Sequence, residues 1–118
     1  MGNRIYLAGP MRGHEFYNFP GFHYKAQELS INGWNVFDPA RVDCITLGIV
    51  ELYDQKKWQE VHELVVKHVA ERDAFTRDIQ FIINHADAVY MMAGWENSRG
   101  AQAEWAIARA IGLQCLYD

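Results

Sequence analysis

The sequence contains little of what marks a cross-linked, metal-stapled or membrane-embedded protein. Only two of its 118 residues are cysteines, and Cys44 and Cys115 show no CxxC or Cys/His spacing, so they indicate neither a disulfide framework nor a zinc site. We expect two reduced, buried thiols in a cytosolic protein. No apolar run approaches the roughly 20 residues of a membrane helix, and the first residues lack a signal-peptide core. These absences predict a cytoplasmic protein without a membrane partner.

An excess of positive charge is also missing. Lysine and arginine number 11 against 15 aspartates and glutamates, which gives a net charge of −4. Binding along a nucleic-acid backbone needs a basic surface, so no polymeric nucleic acid is expected as a partner, although a single nucleotide needs only one local phosphate site. The histidines form no ligand pattern, and no metal is expected; they are His14, His23, His62, His68 and His85.

The chain is rich in apolar side chains. Half of its residues are hydrophobic and 14% are aromatic, which is enough for one packed domain over residues 1–118. The core of so short a chain is still small. We therefore expect a homodimer or a higher homo-oligomer, in which a subunit interface would add buried surface.

The hydrophobic pattern alternates between strands and helices. Short apolar runs predict strands at residues 5–8, 34–37, 88–93 and 113–117. Apolar spacings of three or four predict helices at 22–31, at 56–68 with or without a continuation to 72, and at 98–111. A further helix is expected where Asp73 caps or begins it, with an inner stripe of Phe75, Ile79, Ile82 and Ile83. Residues 11–20 are expected to be a loop, and residues 44–50 a strand or a loop.

This alternation predicts an α/β protein with a Rossmann/flavodoxin-like three-layer fold. Its parallel sheet would have 4–5 strands in the order 2-1-3-4(-5). Such sheets bind ligands beyond the carboxyl ends of the strands, where the winding direction switches. Here that place lies between the first and third strands, at the loops formed by residues 9–13 and 94–100.

One glutamate falls where an apolar residue is expected. On a helical wheel of about 100° per residue, Glu104 lies among Ala101, Ile107, Ala108 and Ile111. A carboxylate there costs stability unless it is paired or hydrogen-bonded, and buried carboxylates at a crevice are often catalytic. Two interpretations stay open: a catalytic group, or a glutamate held by a structural hydrogen bond.

Both crevice loops favour an anion. Ser98 is expected to cap a helix whose first turn, with Arg99 and Gly100, would offer backbone N–H groups and a helix dipole to a phosphate. In the facing loop, Gly13 allows close backbone approach and Arg12 could bind a phosphate in bidentate fashion. Two such loops that converge on a buried glutamate indicate an anion site more strongly than either loop alone.

Five short motifs follow one another along the chain: residues 5–13 (IYLAGPMRG), 38–39 (DP), 77–79 (RDI), 86–89 (ADAV) and 98–104 (SRGAQAE). In this order they resemble the nucleoside 2-deoxyribosyltransferase superfamily. The resemblance also extends to the 2′-deoxynucleoside 5′-phosphate N-hydrolases and to small deoxyribosyltransferase-like proteins. It covers nearly the whole chain and is weakest at residues 43–70.

The resemblance implies roles for individual residues. Glu104 would be the nucleophile that attacks C1′ of the sugar, Tyr6 would orient that carboxylate, and Asp78 would protonate or bind the leaving base. The substrate site implied by the resemblance consists of Gly9, Met11, Arg12, Gly13, Asp38, Ser98 and Gly100. The reaction implied by the resemblance requires no cofactor and no metal.

Three of these roles, and a possible role of Trp58, have a structural alternative. Tyr6 could be plain strand packing. Asp78 could be a surface residue paired with Arg77, and Asp38 a turn residue before Pro39. Trp58 could pack over the base or in the core, and the core is the simpler interpretation.

One departure from the family pattern bears on the substrate. The nucleoside transferases carry an aspartate six residues before the nucleophile, where this chain has Ser98. A carboxylate would repel a phosphate, whereas a serine can donate to it. We therefore expect cleavage of the N-glycosidic bond of a (deoxy)nucleoside 5′-monophosphate. The alternatives are a deoxyribosyltransferase that exchanges bases on free nucleosides, and a non-catalytic nucleotide-binding or sensing module.

Overall fold

The computed structural model describes residues 2–118, which form a four-stranded parallel sheet. The strands are β1 (Arg4–Ala8), β2 (Asn35–Phe37), β3 (Ala88–Met91) and β4 (Gln114–Tyr117). Their spatial order is β2-β1-β3-β4, and all three pairings are parallel. The predicted fold class and strand order are confirmed.

Six α-helices surround the sheet. They are α1 (Phe19–Ile31), α2 (Pro39–Leu47), α3 (Val50–Asp54), α4 (Trp58–His68), α5 (Glu71–Asn84) and α6 (Arg99–Ala110). Short 3-10 helices span Glu15–Asn18 and Trp95–Asn97. None of the helices in residues 2–118 combines the length and apolar character needed to cross a membrane.

Alternating side chains of β1 divide the core into two layers. Ile5 and Leu7 point into a cluster shared with α1 to α4. Tyr6 and Ala8 point into a second cluster on the opposite face, shared with α5 and α6. This division follows from the two-residue period of a strand, and it turns Tyr6 towards α6.

The expectation of a strand or loop at residues 44–50 is wrong, because this segment contains the last four residues of α2 and the first residue of α3. Asp38 caps α2 by accepting hydrogen bonds from the backbone N–H groups of Ala40 and Arg41. Pro39 occupies the first turn, and Gly48 ends the helix in the left-handed conformation. An Asp-Pro pair with a glycine nine residues after the proline is a helix signal. Asp38 is this helix cap and not the turn residue expected as the alternative to a substrate-binding role.

Several helix boundaries also differ from expectation. The loop predicted at residues 11–20 contains a 3-10 turn, and α1 begins at Phe19. Helix α4 ends at His68 because Val69 and Ala70 are extended, so it does not continue to residue 72. On α5, Ile82 is fully buried, but Phe75 and Ile83 are 39% and 53% exposed, so they do not belong to the inner stripe.

Both cysteines are free thiols, but only one is fully buried. Cys44 lies in the core on α2, whereas Cys115 on β4 is half-buried. Trp58 packs against His23 and Tyr53, with ring centroids 5.4 Å from each. Trp58 therefore packs against the core and not over a base, which agrees with the simpler of the two interpretations.

A left-handed turn precedes α1. Phe16, Tyr17 and Asn18 have φ values of 50°, 53° and 59°, a conformation that costs non-glycine residues roughly 1 kcal/mol or more each. Asn18 offsets part of this cost by donating its side-chain amide to the carbonyl of Pro10, at 3.0 Å. The Tyr17 ring packs on His62 with centroids 4.9 Å apart. The Asn18 contact ties the turn to the loop that follows β1, and the Tyr17 contact ties it to α4.

Asp38→Ala is expected to lower the free energy of unfolding by about 2 kcal/mol or more, because it removes a helix cap and leaves the buried Tyr53 hydroxyl without its acceptor. That hydroxyl donates to Oδ2 of Asp38 at 2.6 Å. Asp38→Asn keeps the cap through its amide oxygen, and its amide N–H group can donate to the Tyr53 oxygen in place of the lost acceptor, so it should lose less than half as much. Urea denaturation at about pH 7 measures both changes. Equal losses would mean that the charge of Asp38, and not its capping geometry, stabilises the fold.

Candidate active site

A cavity of about 920 Å³ opens beside the carboxyl end of β1, in front of the amino end of α6. One wall is the loop that follows β1, and the opposite wall is the first two turns of α6. Apolar side chains of α4 and α5 form part of the rim. The predicted crevice is therefore present. Of the predicted loop at residues 94–100, only residues 97–100 line it.

Tyr6 and Glu104 meet at the floor of this cavity. The Tyr6 hydroxyl donates to Oε2 of Glu104 at 2.6 Å. The two residues are 1% and 6% exposed, and they join the central strand to the second turn of α6. Ala101 and Ala108 are buried on the same helix face, as the helical wheel indicates, whereas Ile111 is 45% exposed and lies beyond the helix.

Burial dominates the protonation of this pair. Loss of solvation raises the pKa of Glu104 from 4.5 to about 8; the Tyr6 hydrogen bond lowers it and the charge of Asp78 raises it further. Burial, together with the neighbouring Glu104, raises the pKa of Tyr6 well above its ordinary value. The Tyr6 hydroxyl therefore keeps its proton and remains a donor to the carboxylate.

Asp78 lies on the same cavity, held by its sequence neighbour. Arg77 donates from Nη2 and Nε to Oδ1 of Asp78, at 2.7 and 3.0 Å. Asp78 is only 7% exposed, so it is not a surface residue, although it does pair with Arg77. Burial raises its pKa to about 6, against the lowering effect of Arg77.

Both walls have features that suit an anion. In the loop after β1, Gly13 adopts a φ of +82°, which favours glycine, and Arg12 beside it forms an ion pair with Glu71 at the start of α5. Ser98 caps α6 by accepting from the N–H of Ala101 at 3.2 Å. The first N–H groups of a helix have no intrahelical acceptor, so those of Arg99 and Gly100 are available at this wall.

Two glycines, one on each wall, differ in what surrounds them. A Cβ on Gly9 would lie 3.0 Å from the side chain of Met92, so any larger residue there would force Met92 to shift. A Cβ on Gly100 would meet only Phe75, at an ordinary 3.9 Å. Since packing does not require Gly100, the open space above it belongs to the cavity.

The sequence model of a family described as "Domain of unknown function (DUF4406)" matches residues 3–117. The chain belongs to the DUF4406 family. Neither the curated proteins nor the solved structures include a match. For this member of DUF4406, the geometry of its own side chains is therefore what indicates a function.

The fold brings nine of the ten predicted site residues of this DUF4406 chain to one cavity. Asp38 is the exception, because its carboxylate is used by the cap of α2 and by Tyr53. Within residues 2–118, no three His, Cys, Asp or Glu side chains are arranged to hold a metal ion. The cavity-lining residues are Tyr6, Gly9, Met11, Arg12, Gly13, Asp78, Ser98, Gly100 and Glu104.

Sequence reasoning missed Asp43 and Arg77. Asp43 lies on α2, is 6% exposed and lines the cavity. It accepts a hydrogen bond from Nη1 of Arg77 at 2.7 Å. A helical wheel over residues 39–47 would have found it, since it shares a face with the buried Ala40 and Cys44. Because residues 44–50 fit a strand or a loop as well, the sequence pattern alone does not reveal this helix face.

Glu104→Gln is expected to stabilise the fold at alkaline pH. A carboxyl whose pKa rises from 4.5 to about 8 on folding binds its proton more tightly in the folded state. Its contribution to the free energy of unfolding therefore falls as pH rises through this window, by at most about 1.4 kcal/mol per pH unit. Glutamine does not titrate, and its amide oxygen can still accept from Tyr6.

Urea denaturation between about pH 5 and about pH 8.5 measures this difference. The advantage of Glu104→Gln should grow with pH, whereas the matched variant of the exposed Glu96, Glu96→Gln, should show no such trend. A difference that stays constant with pH would show that Glu104 has an ordinary pKa.

Proposed function

We propose that this chain cleaves the N-glycosidic bond of a (deoxy)nucleoside 5′-monophosphate, with Glu104 as the nucleophile, and releases the base and a sugar phosphate. The observation that carries the proposal is the buried hydrogen bond between Tyr6 and Glu104 at the floor of a cavity. A carboxylate that is buried, aimed by a hydroxyl and open to a cavity is arranged for attack on a bound substrate.

The size and lining of the cavity support a nucleotide. About 920 Å³ lies within the range of roughly 300–1,000 Å³ that small-molecule sites occupy. Val65, Val66, Val69 and Phe75 offer an apolar surface to a flat base. The loop after β1 offers an arginine to a phosphate, and the first turn of α6 offers backbone N–H groups.

The reaction divides into two displacements. The Glu104 carboxylate attacks C1′, the bond from C1′ to the base nitrogen breaks, and the electron pair leaves with the base. Asp78 supplies the proton that neutralises the departing base. Water then attacks C1′, Asp78 takes one of its protons, and Glu104 leaves as a carboxylate. The chemistry parallels that of retaining glycosidases, in which a carboxylate meets an oxocarbenium-like transition state.

The two carboxyl groups hold one proton in the neutral range. Their pKa values of about 6 for Asp78 and about 8 for Glu104 describe a coupled pair. The reactive arrangement places this proton on Asp78 and leaves Glu104 ionised. The Tyr6 hydroxyl faces both groups and stabilises the ionised form of Glu104 by donating to it. A bell-shaped pH dependence of kcat/KM between these two values follows.

Three features favour a monophosphate over a free nucleoside. Ser98 is neutral, Gly100 leaves space above a helix N-terminus, and Arg12 is exposed at the mouth. Arg12 already pairs with the Glu71 carboxylate, so its guanidinium is placed where an anion can be held. A phosphate on the 5′ oxygen would take the place of that carboxylate.

Glu104→Ala is expected to reduce base release from (deoxy)nucleoside monophosphates by at least about 1,000-fold, because it removes the atom that bonds to C1′. Chromatographic detection of the free base measures this, and Glu96→Ala, at an exposed site, is the matched control. Base release at the wild-type rate would exclude Glu104 as the nucleophile. Adding a second free base separates hydrolysis from transfer, since only a transferase forms the exchanged nucleotide.

Ser98→Asp is expected to raise KM for a nucleoside monophosphate by about tenfold or more relative to Ser98→Asn, with little difference for the free nucleoside. Aspartate and asparagine have the same shape and both cap helices well, so the comparison isolates one negative charge beside the phosphate. Steady-state kinetics on both substrates measure the ratio. Equal KM values for the monophosphate would mean that its phosphate does not bind at the start of α6.

A further inference from the structure

Arg77 is fixed between two buried carboxylates that come from different helices. It donates from Nη1 to Asp43 of α2 at 2.7 Å, and from Nη2 and Nε to Asp78 of α5. Nη2 also lies 3.5 Å from the carbonyl oxygen of Pro39. The ring of Phe37 covers the guanidinium at 5.9 Å. Together these contacts hold the guanidinium in a single orientation.

This orientation distinguishes the two oxygens of Asp78. Both contacts from Arg77 go to Oδ1. An oxygen that accepts two charge-assisted hydrogen bonds is the poorer site for a proton, so the acidic proton of Asp78 belongs on Oδ2. A general acid needs its proton on an oxygen that is free to face the leaving group.

Asp43 controls how strongly Arg77 acts on Asp78. A guanidinium that faced Asp78 alone would hold it as a carboxylate, because an adjacent cation favours the ionised form. Here one cation serves two carboxylates. Burial raises the pKa of Asp78 most, Arg77 lowers it, and the negative charge of Asp43 raises it again. Burial also raises the pKa of Asp43 itself. The cluster therefore keeps Asp78 able to carry a proton near neutral pH.

The charged and titratable groups around Asp78 come from four elements. Tyr6 faces it from β1, Asp43 from α2, Arg77 from its own helix and Glu104 from α6. Arg77 is the single cation among them. A substitution of Asp43 therefore changes how strongly the positive charge of Arg77 acts on Asp78.

We propose that Asp43 and Arg77 are positioning residues for the acid of the reaction: Arg77 holds Oδ1 of Asp78, and Asp43 shares the charge of Arg77 so that the other oxygen of Asp78 keeps a proton. The proposal rests on the proposed function for its catalytic meaning. Its electrostatic content can be measured in the free protein without any substrate.

Asp43→Asn is the decisive variant, because an amide oxygen can still accept from Arg77 while the charge is lost. We expect the pKa of Asp78 to fall by about one unit, measured by a carboxyl 13C NMR titration in which Asp78→Asn assigns the resonance. The acidic limb of the kcat/KM profile should move to lower pH by the same amount. The maximal kcat/KM should fall by about tenfold for each unit by which the pKa of Asp78 falls, since fewer molecules carry the proton on Asp78.

Arg77→Gln supplies a shift of opposite sign. Loss of the cation should raise the pKa of Asp78, and kcat should still fall because Oδ1 is no longer held. Asp54→Asn is the matched control: Asp54 accepts from Nε and Nη2 of Arg41, both at 3.1 Å, in an exposed pair. It should change neither the Asp78 resonance nor the pH profile.

The outcomes separate this proposal from the proposed function. An Asp78 pKa that is unchanged in Asp43→Asn, or that moves in the same direction in both variants, overturns the positioning proposal whether or not the protein is active. Opposite shifts in a wild-type protein that releases no base would uphold the control of the Asp78 proton and reject the reaction. A loss of activity in Asp43→Asn without a change in the pH profile would show a merely structural role.

Discussion

The hydrogen bond between Tyr6 and Glu104 is the contact on which the arrangement of the site depends. It joins the central strand to the last long helix inside the core, at 2.6 Å. Buried polar groups are costly unless they are paired, so each of these residues fixes the other. This contact sets the position of α6 against the sheet. It thereby also sets where the N-terminus of α6 lies at the wall of the cavity.

Carboxyl groups gather around that contact at a cost to stability. Asp43, Asp78 and Glu104 lie within reach of one cavity, and burial raises the pKa of each. A core built only for stability would place apolar side chains there. Arg77 compensates for part of the negative charge, and protonation compensates for more. Such clusters are characteristic of sites that move protons, which connects the energetics of this fold with the reaction proposed for it.

The order of strands and the buried face of α6 could be predicted because they follow from local periodicity and right-handed crossovers. The position of Glu104 in an apolar stripe and the switch point between β1 and β3 required no tertiary information. The prediction for residues 44–50 was wrong because a short apolar run fits a strand and a helix equally well. There the capping of α2 by Asp38 and its termination at Gly48 decided the structure.

The sequence by itself determined the parallel sheet, the two loops at the crevice and a carboxylate on the buried face of α6, since each is written in neighbouring residues. Only the tertiary structure decided that Asp43 and Asp78 share Arg77, and that Asp38 serves a helix cap instead of the cavity. The physical reason is distance along the chain. Asp43 lies 34 residues from Arg77, and no local pattern specifies which buried carboxylates a guanidinium will meet when two helices pack together.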